Sequence, residues 1–418
     1  MVEDIATGNA AGGEALSRPN RLSVLAFVAD PLTEQVLRGG LGKVVENSLE
    51  IRRGNIRTAI AAMTKGQTPE VLIIDISGEK SPMQALGELA DVVEPGVRMF
   101  VIGDIDDVDF YRHIIRDFGV TEYIFKPINR EAVARHFVPM ITHKTSAEDA
   151  TRGGRVVAVI GARGGVGATT IAGNLAWYLG MIGQRHTVFV DADLYMGSGA
   201  MLLGGTTSPG LRTALENPEL DPLFVEHAAQ PIADRLHILA SDEKLHDPLR
   251  YVPGSAQRLM QALQARYNFI VLDLPYLPVP SHRELLNFAH HRVVVMDPSL
   301  ASVRDALRLL ALPQGPSHSP SSTLVLNRQG RPGSLTRKQI EDALNTKIDV
   351  FIPDVPKQFD EADCQTEPAV SRRGPFREAI IHLSQAIGFV GALDEIPEPV
   401  SRKAGFAGLF RRRLQQRG

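Results

Sequence analysis

Val156-Val-Ala-Val-Ile-Gly-Ala-Arg-Gly-Gly-Val-Gly-Ala-Thr-Thr170, running on into Ile171–Leu179, is the stretch that decides the fold of most of this chain. Its apolar run reads as a buried strand, its glycines as a tight turn, and its threonines as a helix start. A strand, a glycine turn and a helix in that order let backbone N–H groups converge on phosphate oxygens, with the positive end of the helix behind them. Gly164, Gly165 and Gly167 keep side chains out of that approach. Against the phosphate-loop pattern GxxxxGK[ST], the window runs from Ala162 to Thr169 and departs from it twice. Ala162 stands at the first Gly and Ala168 at the Lys, while Thr169 keeps the magnesium-ligand position.

Outward from this stretch, apolar strands alternate with helical segments. Val156–Gly161, Thr187–Asp191, Leu236–Ala240, Phe269–Leu274, Arg292–Met296, Thr323–Asn327 and Val350–Pro353 read as strands. That alternation predicts a doubly wound α/β domain with a parallel sheet over 155–393. Upstream, Leu22–Ala29, Ser48–Ile51, Val71–Ile76, Met99–Ile102 and Glu122–Phe125 read as strands. Helices are expected at Asn55–Lys65, Met83–Val93, Asp107–Phe118 and Asn129–Met140, which gives a second, smaller parallel α/β domain over 21–140. Residues 1–20 read as a flexible leader and 141–154 as a polar, Gly-rich linker; 394–418 reads as a Pro-containing linker and basic tail.

Composition narrows the classes. The 418 residues are 44% hydrophobic and 22% charged, which fits a globular chain and argues against general disorder. At roughly 100–200 residues per domain this allows two to four domains. The single cysteine, Cys364, excludes an internal disulfide framework and a Cys-cluster zinc site. No apolar run approaches the roughly 20 residues of a membrane span, and the N-terminus has no basic-then-apolar signal pattern. A cytoplasmic protein is expected.

The charge is unevenly placed. The last 18 residues carry six Lys or Arg and no acid against a net −3, leaving −9 for residues 1–400. Within that tail Phe406, Leu409, Phe410 and Leu414 recur at helical spacing beside Arg411 and Arg412. The pattern suits an amphipathic helix that forms on an anionic membrane surface. No helix-turn-helix or aromatic stacking platform accompanies the basic run, so nucleic acid is the weaker reading. His290-His291 lack partners at metal spacing, and Gly103–Asp109 lacks the Gly and Glu of a calcium loop.

Arg163-Gly-Gly-Val-Gly-Ala-Thr-Thr170 resembles the deviant phosphate loop, KGGxGKTT, of the ParA/MinD ATPases. Three further segments follow in that family's order: Val188-Phe-Val-Asp-Ala-Asp193, Phe269-Ile-Val-Leu-Asp-Leu-Pro275 and Leu324-Val-Leu-Asn-Arg328. The resemblance implies an ATP- and Mg²⁺-binding, dimer-forming domain. Arg163, Gly164, Gly165, Val166, Gly167, Ala168, Thr169 and Thr170 would form the nucleotide loop, and Asn327 would bond adenine. Thr169, Asp191 and Asp273 would serve the metal, and Asp193 would position the attacking water. With Ala168 in place of the lysine that grips phosphate, hydrolysis is expected to be weak or absent. Arg163 keeps a cation at the position that reaches a partner subunit.

The altered loop, together with a receiver-like N-terminal domain of the flavodoxin-like class, resembles the TadZ/CpaE pilus-assembly proteins over roughly residues 21–393. In the receiver comparison Asp30, Asp75 and Lys126 match an acid, the phosphoacceptor and the lysine. Ala29 and Gly103 or Asp104 depart from it, so a docking or dimerising module is favoured over a phosphorylated one. The resemblance implies a scaffold that localises pilus-assembly and secretion machinery at a cell pole or on the inner face of the cytoplasmic membrane. The alternatives are an active ParA/MinD-like ATPase positioning another cargo, and a phosphorylation-controlled response regulator.

Overall fold

The computed structural model describes residues 24–142, 154–313, 322–359 and 367–388, apart from 43, 44, 46, 47, 66, 67, 218, 221–223 and 357. The proposed membrane residues Phe406, Leu409, Phe410 and Leu414, and Cys364, lie outside the described residues. The chain divides into two compact units. Among the described residues, the first holds a five-stranded sheet. The second holds an eight-stranded sheet, everything from Gly154 on, and the helices Pro82–Val92 and Val108–Phe118.

The smaller sheet is built from β1 (Val24–Val28), β2 (Leu49–Arg53), β3 (Val71–Asp75), β4 (Arg98–Gly103) and β5 (Val120–Phe125). Its order is β2-β1-β3-β4-β5 and every pair is parallel. This is the flavodoxin-like order, which brings the ends of β1, β3 and β5 to one edge. The buried residues of β1 and β3 alternate between the two faces. Val24, Ala26, Val28, Val71 and Ile73 share a core with Leu37, Leu41, Val133 and Phe137 from two helices.

One of those helices, Pro31–Leu41, has no counterpart among the helices expected from sequence. Asp30 caps it and Pro31 opens it. Gly39 and Gly40 then run through its body, which hides the helical pattern. A Cβ at Gly39 would sit 2.4 Å from the Arg130 side chain, and one at Gly40 2.8 Å from Val133. These glycines therefore let Pro31–Leu41 lie close against the helix Arg130–His136.

The larger sheet comprises β6 (Arg155–Gly161), β7 (Thr187–Asp191), β8 (Gln230–Ala233), β9 (Leu236–Leu239), β10 (Phe269–Asp273), β11 (His291–Met296), β12 (Thr323–Gln329) and β13 (Val350–Pro353). Its order is β13-β12-β11-β6-β10-β7-β9-β8. All pairs are parallel except β8 with β9. Val156, Ala158 and Ile160 face one core, and Val157 and Val159 the other. This is the doubly wound parallel architecture expected from sequence. β6 lies between β10 and β11, where the sheet changes direction. Ligands of such sheets bind beyond the strand ends at that switch point. No described helix is long and apolar enough to cross a membrane.

Candidate nucleotide site

The loop after β6 is shaped by backbone that only glycine adopts without strain. Gly165 has φ +81° and Gly167 φ +93°. Gly167 caps the helix Ala168–Trp177. A Cβ at Gly167 would lie 2.5 Å from the Asn327 amide nitrogen, whereas one at Gly164 or Gly165 would meet nothing within 4 Å. The first position is thus fixed by packing and the other two border open space. Ala162 N donates to Val295 O at 2.7 Å, which anchors the start of the loop to β11. Val166 is buried, while Arg163 and Gly164 are exposed.

A cavity of about 900 Å³ opens on this loop. Every residue from Arg163 to Thr170 lines it, together with Asp193, Asp273 and Arg328. The structure thereby brings most of the expected site together. Asp273 ends β10 in register with Asp191 at the end of β7, and β10 is the direct neighbour of β6. Thr169 and Asp273 share a side-chain hydrogen bond. Burial pushes the Asp273 carboxyl up to about 7, with repulsion from Asp191 and Asp193 adding to it and the Thr169 bond opposing it. A bound Mg²⁺ would reverse that shift, so Thr169 and Asp273 fit the ion. Among the described residues no group of three or more His, Cys, Asp or Glu could hold a metal.

Asp191 and Asp193 do different things. Asp191 is 1% exposed and does not line the cavity. One oxygen accepts Asp193 N at 3.1 Å and the other Gly199 N at 2.9 Å. Its carboxylate shapes the turn that presents Asp193, and it sits outside the cavity lining. Asp193 uses one oxygen to accept Tyr195 N at 3.2 Å and Met196 N at 2.9 Å. It lines the cavity. Asn327 likewise faces the loop: its amide donates to Val166 O at 2.8 Å and accepts Arg328 N at 2.9 Å. His282 also lines the cavity. It accepts Leu277 N at 3.1 Å, and burial lowers its pKa, which keeps the ring neutral.

The receiver-like residues also converge. Lys126 Nζ donates to Asp30 at 2.6 Å and to Asp75 at 2.7 Å. Asp75 is fully buried and also accepts Ala29 N at 3.1 Å and Ser77 N at 3.0 Å. Both its oxygens are engaged from within the protein. Gly103 ends β4, and a Cβ there would lie 2.8 Å from the Tyr123 hydroxyl. That hydroxyl donates to Ile105 O at 2.8 Å and accepts Ile105 N at 3.0 Å. The space beside the end of β4 is thus taken by an aromatic side chain. Arg328, His282 and Tyr123 were not picked out by sequence reasoning. Arg328 follows Asn327 directly, but nothing in the string marks its backbone.

No protein-family profile matches the chain. The septum site-determining protein MinD of Bacillus subtilis is 25% identical over 190 residues, covering 42% of this chain and 65% of that protein. The chain thus spans about two thirds of the length of that relative. A ParA family ATPase from Chlorobium tepidum superposes with a TM-score of 0.49 at 22% identity, covering 56% of this chain and 98% of that one. The pilus assembly protein CpaE from Caulobacter crescentus superposes with a TM-score of 0.25 at 26% identity, covering 27% and 87%. By sequence the chain is thus similar, over 42% of its length, to a septum site-determining MinD protein.

Proposed function

We infer that the second unit binds ATP with Mg²⁺ and that its nucleotide state controls self-association, without rapid turnover. One observation carries this reading. The glycine loop, Thr169, Asp273 and Asp193 line a single cavity at the sheet's switch point, while Ala168 offers that cavity no cation. ATP phosphates need donors and cations where charge accumulates. The loop N–H groups and Thr169 would supply the donors, Asp273 would hold the ion's shell, and Asp193 would orient water. Without the lysine, transfer of the phosphoryl group is slowed more than binding. Exposed Met196, Leu277 and Val279 on the segments after β7 and β10 suit a homodimer surface.

The finer assignment is a TadZ/CpaE-type scaffold that localises Flp/tad pilus-assembly machinery. It is supported by the altered loop occurring together with a receiver-like sheet. The first unit would act as a docking or dimerising module, because the Asp75 carboxylate is engaged by Lys126 and two backbone N–H groups. Incubation with a small phosphodonor and mass spectrometry should find Asp75 unmodified; a phosphorylated Asp75 would favour the response-regulator reading.

Calorimetry on the full chain with Mg·ATP should show binding that Thr169→Ala weakens, and steady-state assays should show little hydrolysis. Robust turnover lost in both Arg163→Ala and Asp193→Ala would replace the scaffold with an active positioning ATPase. Loss of surface pili on gene deletion is the expected cellular result. Normal piliation would remove the pilus assignment and leave the nucleotide site standing.

A further inference from the structure

The cavity contains a second guanidinium besides Arg163. Arg328 lines it, half-buried. Its backbone sits at φ +55°, the left-handed region that long L side chains avoid. Two features hold it there. The pairing of β12 with β13 shifts register between Leu326 and Gln329, so residues 327 and 328 form an irregularity at the strand end. Asn327 then bonds the Arg328 N–H with one side of its amide and Val166 O with the other. Bulges of this kind re-aim side chains beside functional sites, and a strained backbone persists only where its surroundings enforce it.

The guanidinium itself has no hydrogen-bond or ion-pair partner among the described residues. A half-buried cation with no anion beside it among the described residues leaves its charge available to an anionic ligand. The position suits phosphate. Arg328 is one residue, about 3.8 Å between Cα atoms, from the side chain that touches Gly167. Gly167, Ala168 and Thr169 line the cavity where the loop N–H groups would meet phosphate. A planar guanidinium can grip two phosphate oxygens at once.

Resting on the nucleotide reading above, we propose that Arg328 supplies in cis the phosphate cation that the loop lacks at Ala168. The site thereby keeps its affinity for a nucleoside di- or triphosphate. The cation reaches the phosphates from the far end of β12 instead of from the helix after the loop.

Calorimetry on the full chain with ATP, ADP and adenosine tests this. The wild-type chain should bind both phosphorylated ligands more tightly than adenosine. Arg328→Ala should weaken ATP and ADP by about tenfold or more and leave adenosine unchanged. Adding Ala168→Lys to Arg328→Ala should restore the preference for phosphate. Arg328→Gly, which accepts the positive φ, should lose the phosphate preference while melting no lower than wild type; this separates ligand loss from misfolding. Equal loss for adenosine and ATP would make Arg328 a base-stacking group and overturn the proposal. Unchanged ATP affinity would overturn it too. A wild-type chain that binds none of the three ligands would instead defeat the nucleotide reading itself.

Discussion

Lys126 shows how much one side chain can hold. It bonds two carboxylates, one of them, Asp75, fully buried. Removing one member of such a pair leaves a buried charge uncompensated, at a cost of about 3–5 kcal/mol. Lys126→Met should therefore lower the denaturant midpoint of the full chain, or give a separate early transition for the first unit. A variant that unfolds like wild type would show that the pair contributes nothing net. Acid offers a second readout. Burial alone would raise Asp30, but bonds from Lys126 and Thr33 outweigh it and hold its carboxyl at about 2, below the ordinary 3.8. A depressed acid stabilises the fold above its unfolded value and loses that contribution as pH falls through the folded one. Circular dichroism between about pH 4 and pH 2 should show this loss in wild type and a flatter profile in Lys126→Met.

At the scale of elements, the helix Ala168–Trp177 connects the loop to the rest of its unit. Asn174 lies on it, fully buried. Its amide donates to Thr170 O at 2.8 Å and accepts Val370 N at 2.8 Å. The helix that starts the site is thereby tied to the segment leading into the helix Pro375–Ala386. Asn174→Leu keeps the heavy-atom count and branching and strips both bonds, leaving a buried N–H without a partner, which costs about 1–3 kcal/mol. Chemical denaturation should show that loss; an unchanged midpoint would mean that the segment finds another partner. Glycine packing matters in the same way in the neighbouring turn. A Cβ at Gly199 would lie 2.2 Å from the Phe189 ring, so the turn that bonds Asp191 closes only around a glycine.

For the whole molecule, two assays address association. Light scattering should show the full chain moving from monomer toward dimer on adding Mg·ATP, and Thr169→Ala should prevent the change. A mass that does not respond to nucleotide would separate binding from self-association. The basic tail is tested by sedimentation with anionic liposomes, where removing residues 404–418 should release the protein. Equal binding by the truncated chain would rule out the amphipathic tail as the anchor. The removed segment carries four of the tail's six cations, each contributing on the order of 1 kcal/mol at an anionic surface, so the effect should fade with salt.

Much of this was legible in the sequence, because buried parallel strands are short apolar runs bounded by turn residues. Thr187–Asp191 and Val350–Pro353 were read with the bounds they have in the structure. The loop from Arg163 to Thr170 was identified because glycine and threonine at that register have a local backbone meaning. The helix Pro31–Leu41 was missed because Gly39 and Gly40 look like breakers until Arg130 and Val133 are seen to fill the space above them. The edge strand β8 was missed because four half-exposed residues carry no strong pattern. Asp191 looked like a metal ligand, and only the turn around it shows both oxygens bonded to backbone. Sequence alone thus determined the fold class and the position of the loop, since periodicity and glycine freedom are local properties. The tertiary structure decided which carboxylates face the cavity, what Asn327 bonds, and that Arg328 is held at positive φ beside the loop. Those depend on strand order and register, which bring distant residues together and which no local pattern encodes.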